Sequence, residues 1–117
     1  MEKIVEQGLL YDFYGELLTE HQKQIYEEAV YQDMSLSEIA DEYGIRRQGV
    51  HDLIQRCNKL LQSYEDKLHL VQKFTDAKKT LREIDQLAES SKELPESACR
   101  EQIEKIQQLA LSLKESF

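Results

Sequence analysis

Breakers and bridges are scarce in this chain of 117 residues: it has one proline, four glycines and two cysteines, and no tryptophan. So little punctuation leaves few places for tight turns, which excludes a strand-rich fold. The abundant Glu, Gln, Lys and Leu lose little rotamer freedom in a helix, so an all-α protein is expected. Cys57 and Cys99 lie far apart and in no metal-ligand spacing, which argues against a disulfide framework or zinc site and for two buried thiols. No apolar run approaches the length of a bilayer crossing. The first residues, Met1 to Glu6, lack a basic stretch followed by an apolar one, so a cytoplasmic protein without membrane insertion is expected. With 40% hydrophobic residues the chain can bury one modest core.

Catalytic signatures are missing as well. His21, His51 and His69 are far apart, and none sits with carboxylates or thiols at metal-binding spacing. There is no phosphate-cradling glycine loop and no nucleophile elbow. The chain is therefore not expected to be an enzyme, nor to use a metal or a cofactor.

Positive charge is in short supply. Lys and Arg number 15 against 23 Asp and Glu, a net charge of −8, which argues against a protein that coats nucleic acid by electrostatics alone. Its distribution is uneven, however. Residues 46–82 hold nine basic and four acidic side chains, a local +5 that leaves −13 for the remainder. Such asymmetry lets one face meet an anion while the rest repels it, although a solvated helix surface would look the same.

What the chain does have is helical periodicity. Leu9, Leu10, Phe13, Leu17 and Leu18 predict a first helix from about residue 3 to 17, weakened by Gly8 and Gly15. Thr19 and Gln22 form a capping box for a second helix, which runs to about residue 32 with Ile25, Ala29 and Val30 inward. Ser35 and Glu38 form another before a short third helix that ends near Tyr43 at Gly44. The stripe Val50, Leu53, Ile54, Cys57, Leu60 and Leu61 then continues through Tyr64, Leu68, Val71, Phe74, Leu81, Ile84 and Ala88, which predicts one long helix. The polar run 89–93 and Pro95, suited to a first helical turn, mark a hairpin. Cys99, Ile103, Ile106, Ala110, Leu113 and Phe117 then give a final amphipathic helix with two apolar positions per heptad. It can fold back on residues 64–88 or pair with a second chain. The expected division is a helix-turn-helix domain over residues 1–62 and a helical extension over 63–117, serving packing or dimerisation.

The spacing Glu38-Ile39-Ala40, then Gly44, then Val50 is what a helix-turn-helix requires. Ala40 is small where two helices cross closely, Gly44 makes the turn, and Val50 plugs the angle between them. Ile39, Ile45 and Leu53 are expected to complete this core. With Val50, Leu53, Ile54 and Cys57 inward, the opposite face of the next helix presents Arg47, Gln48, His51, Asp52, Gln55 and Lys59, with Arg46 at its start. Recognition helices place such residues at base edges in the major groove, where Arg can grip guanine and Gln adenine. Arg46, Arg47, Gln48, His51, Gln55, Arg56 and Lys59 are thus the candidate DNA-binding residues. The competing account is a merely hydrated face, and Asp52 counts for it.

Leu10-Tyr11-Asp12-Phe13-Tyr14, Leu17-Leu18-Thr19-Glu20, residues 31–40, Gly44-Ile45-Arg46-Arg47-Gln48-Gly49-Val50 and Tyr64-Glu65-Asp66-Lys67-Leu68 resemble the YlxM-like proteins of Gram-positive bacteria. That family's helix-turn-helix is similar to region 4 of sigma factors, which implies that fold followed by a long C-terminal helix and a final amphipathic one. Its genes usually neighbour that of the signal recognition particle GTPase, which implies an accessory or regulatory part in that pathway. Where the family usually has Ser at the start of the recognition helix this chain has Arg46, which offers no capping acceptor. Two functions remain open: a homodimeric regulator of transcription that binds double-stranded DNA, and a protein or ribonucleoprotein interaction module acting on signal recognition particle components without DNA.

Overall fold

A computed structural model describes residues 3–117, with side-chain surroundings from Val5 onward, as an all-α protein of six helices. Met1 and Glu2, which begin the segment read for a leader sequence, lie outside the described residues. The chain divides into two compact units, Met1–Val71 and Gln72–Phe117.

In the first unit α1 spans Lys3–Tyr14 and gives way to a 3-10 turn at Gly15–Leu17, three residues short of the expected helix end. Gly15 explains the change. A Cβ there would stand 2.9 Å from the Tyr11 ring, so that ring packs on bare backbone. α2 (Glu20–Val30) starts with the expected reciprocal box: Gln22 N–H donates to Thr19 Oγ1 at 3.2 Å, and Thr19 N–H donates to Gln22 Oε1 at 2.9 Å. Ser35 supplies the accepting half of the next box, receiving Glu38 N–H at 3.1 Å ahead of α3 (Leu36–Tyr43). Gly44 ends α3 at φ 66°, a left-handed conformation that costs a glycine almost nothing, and α4 (Arg47–Leu68) follows.

α4 is the post around which the unit is built. Its N-terminal half, through the fully buried Val50, closes a cluster with Ile25, Ile39 and Ala40. Further along, Cys57 and Leu61 close a second cluster with Leu10, Tyr14, Leu18 and Tyr26. Leu53 and Ile54 pack against both. Burying a side chain of this size stabilises the fold by about 1.5–3 kcal/mol. Three expected core residues are not in it: Phe13 is 37% exposed, Leu17 58% and Ile45 39%. Tyr14, one helical turn after the buried Leu10, takes the inward place at 1% exposure, while Leu17 lies in the 3-10 turn and Ile45 in the connection between helices rather than on either.

The long helix expected through Ala88 is broken. α4 stops at Leu68, His69 takes the left-handed conformation at φ 57°, and α5 (Leu70–Ser91) starts afresh. The break is held by side chains from elsewhere in the unit. Leu70 N–H donates to Tyr14 Oη at 3.1 Å, Val71 N–H donates to Glu65 Oε1 at 2.9 Å, and Tyr14 in turn donates to Glu65 Oε1 at 2.5 Å. Burial, reinforced by the Glu65 carboxylate, pushes the Tyr14 phenol up, so it stays protonated and able to donate.

The second unit is an antiparallel pair, α5 and α6 (Glu96–Ser116), with Pro95 just ahead of α6 as its N-cap rather than in its first turn. Ala77, Thr80, Ile84, Leu87 and Ser91 on α5 are half-buried, as are Cys99, Gln102, Ile106, Leu109 and Leu113 on α6. At the turn the Cys99 thiol donates to Ser91 O at 3.1 Å, so Cys99 is only half-buried where full burial was expected, whereas Cys57 is fully enclosed. At the other end Ala77 and Thr80 line one groove with Ser112 and Leu113.

Candidate nucleic-acid interface

Gly44 turns the chain so that α3 and α4 pack through Ile39, Ala40 and Val50, leaving the N-terminal end of α4 in the open. Arg46, Arg47, Gln48 and His51 are all exposed there. Arg47, Gln48 and His51 share a shallow groove with Leu36, the first residue of α3. The start of α4 carries no acidic residue in its first turn, and Arg46, the N-cap in extended conformation, makes no side-chain capping bond. The first turn of α4 thus has amides that receive no side-chain cap from Arg46, with two exposed arginines at the same helix end, a combination that favours an anion.

Asp52 is built into this end of the helix. It accepts from Gln48 Nε2 at 2.9 Å, and His51 Nδ1 lies 3.7 Å from the same oxygen. One carboxylate thus holds the Gln48 amide in a fixed direction while the rest of that amide stays open. By its charge alone Asp52 counts against a binding face. Its four-residue spacing from Gln48, one helical turn, was the available signal for this positioning contact.

The remaining candidates lie elsewhere on the same helix. Gln55 and Lys59 line a different groove, between α4 and α1, together with Asn58, Gln62, Glu6 and Gln7. Lys59 is about 18 Å along the helix from Arg47 at 1.5 Å per residue. Arg56 is exposed on the flank turned away from His51, by the helical rotation between them. The candidate set is therefore one cluster of four at the helix start, with three outlying residues. Asn58 and Leu36 were not in that set; Asn58 Oδ1 accepts from the buried Tyr26 hydroxyl at 2.7 Å, which explains a polar residue at a half-buried position.

The surroundings are acidic. Residues 1–45 contain eleven acidic side chains and two basic ones. Glu28 on α2 and Glu42 on α3 come close enough that burial and the Glu28 carboxylate raise the Glu42 carboxyl above its ordinary range. Among the described residues no group of three metal-ligating side chains converges, and no helix is long and apolar enough to cross a membrane.

Fold and site together define a helix-turn-helix protein whose second motif helix presents a basic, amide-bearing end. Residues 1–101 match the family described as "Putative helix-turn-helix protein, YlxM / p13 like", and the chain belongs to that family. The chain is 41% identical to the UPF0122 protein YlxM of Bacillus subtilis over 107 residues, covering 91% of this chain and 97% of that one. It is 43% identical over 98 residues to a UPF0122 protein of Desulforamulus reducens, covering 82% of this chain and 84% of the relative. A UPF0122 protein of Shouchella clausii is 38% identical over 109 residues, covering 93% and 98% of the two.

Proposed function

We propose that the chain is a cytoplasmic, homodimeric regulatory protein that binds double-stranded DNA, inserting the N-terminal end of α4 into the major groove. Arg46 and Arg47 contact phosphate or guanine there, and Gln48, steadied by Asp52, and His51 face base edges, with Gln55, Arg56 and Lys59 in supporting contacts. The carrying observation is the open start of α4, with two arginines and no acidic residue in its first turn. Dimerisation through residues 63–117, outside the helix-turn-helix domain of residues 1–62, would present two such ends to successive half-sites. The resemblance to proteins encoded beside the signal recognition particle GTPase supports a regulatory link to that pathway.

Salt dependence tests the reading. Binding to DNA from upstream of the protein's own operon should weaken steeply with salt, and replacing Arg46 and Arg47 by Ala should each reduce the log–log slope by about 1. No binding at low salt by the folded protein would defeat the proposal. The eleven acidic side chains of residues 1–45 favour a second reading, a module that meets a basic partner of the particle pathway without DNA. Capture of the particle's GTPase or RNA in place of DNA would establish it.

A further inference from the structure

The hairpin of α5 and α6 has a second apolar face. Beside the half-buried seam runs a stripe at intervals of seven: Leu81 and Ala88 on α5, headed by Phe74, and Ile103, Ala110 and Phe117 on α6. Leu81 is 53% exposed, Ile103 52% and Phe117 76%. In both helices these residues stand four after a seam residue, Ala77 or Ile84 on α5 and Cys99, Ile106 or Leu113 on α6. An equal rotation in two antiparallel helices leads to the same side of the pair, so the two stripes lie side by side on one face. Among the described residues of 72–117 none is buried, and of the large exposed apolar side chains there, Phe74, Leu81, Ile103 and Phe117 belong to this face, with Leu111 outside it.

Two observations identify what covers it. Leu81 is the midpoint of its stripe and Ala110 of the other, and the two are level in the hairpin, because Ala77 lies by Leu113 and Cys99 bonds to Ser91. A single two-fold axis perpendicular to the helices, passing Leu81 and Ala110, therefore superposes both stripes on themselves. It sets Phe74 against Ala88 of a second copy, Leu81 against Leu81, and Ile103 against Phe117. Charge makes the same selection. Lys78 stands three residues before Leu81 and Asp85 four after, both exposed, so antiparallel pairing of α5 with itself brings each Lys78 to the Asp85 of the other copy. Pairing α5 with α6 of the second copy would instead bring Lys78 to Lys114.

We propose that residues 72–117 pair with a second copy of themselves through this face, giving an all-antiparallel four-helix bundle with α5 on α5 and α6 on α6. This gives a geometry to the dimer of the preceding reading and is independent of whether DNA is bound.

The test uses the full chain without DNA, its mass followed by sedimentation equilibrium as concentration rises. A dimer is expected. Lys78→Asp should weaken it by about tenfold, through two lost pairs and two new repulsions, and adding Asp85→Lys should restore it. In a Cys99→Ser background, Leu81→Cys should form an intermolecular disulfide on oxidation. Phe74→Cys should do so only when mixed with an Ala88→Cys chain. A helical wild-type protein that stays monomeric, a Lys78→Asp dimer as tight as wild type, or Phe74→Cys cross-linking to itself would each overturn the proposal. A cross-linked dimer that fails to bind DNA would sink the DNA reading and leave this one intact.

Discussion

Every buried hydrophobic side chain of the described residues lies between Leu10 and Val71, and none lies between Gln72 and Phe117. Both regions have helices with apolar residues at threes and fours, so periodicity does not account for the contrast. Composition does. All six tyrosines fall in the first region. Tyr14 bonds Glu65, Tyr26 bonds Asn58 and Tyr11 bonds Glu27, each pairing a large apolar ring with a satisfied hydroxyl. The second region has instead a thin seam that includes Ala77, Thr80, Ser91, Cys99 and Gln102. A helix stripe thus states only that a face will be covered; the size and polarity of its residues decide whether the chain can cover that face itself.

The sharpest way to test this contrast is a matched pair of truncations. Leu61→Ala, in the enclosed cluster of the first unit, should cost about 2–5 kcal/mol of unfolding free energy. Leu109→Ala, half-buried on α6, should cost about 1 kcal/mol at dilutions where the chain is monomeric. Urea denaturation followed by helicity measures both. Equal losses would show that the second unit has a closed core of its own.

An intermediate effect is expected where the first unit holds the broken helix. Tyr14→Phe keeps the ring but removes the hydroxyl, leaving Leu70 N–H without this acceptor and taking from Glu65 Oε1 one of its donors, with Val71 N–H still bonded to it. Leaving buried polar groups unsatisfied in this way costs about 1–3 kcal/mol. Amide exchange should accelerate at Leu70 and Val71 well before it does in the middle of α4. Unaltered protection at both amides would mean that the left-handed turn at His69 holds by itself.

That joint also marks the limit of what the sequence could tell. The helix-turn-helix was legible because its signals are local: Ser35 as a cap, Ala40 at the crossing, Gly44 at the turn and Val50 as the plug each act within a few residues of where they stand. The break at His69 was not, since no glycine or proline marks it and the apolar spacing runs straight through. The hydroxyl that caps its Leu70 amide belongs to Tyr14, 56 residues away. The same distinction holds in the candidate interface. The exposure of Arg46, Arg47, Gln48 and His51 followed from the stripe opposite them, whereas the separation of Gln55 and Lys59 into another groove depends on where α1 packs.

The smallest expected effect lies at Arg46, where fold and proposed function pull in opposite directions. Its backbone is extended, as an N-cap requires, but its side chain accepts no bond from the free amides of α4, and its charge opposes the positive end of the helix dipole. Arg46→Ser supplies the missing acceptor and removes the charge, so the free protein should become more stable by about 0.5–2 kcal/mol, read as a higher melting temperature. A bound phosphate would reverse the balance by neutralising the arginine while occupying the same amides. The serine variant should therefore melt higher alone yet gain less from added DNA than wild type. An unchanged or lower melting temperature without DNA would refute the capping argument, and an equal gain with DNA would remove Arg46 from the interface.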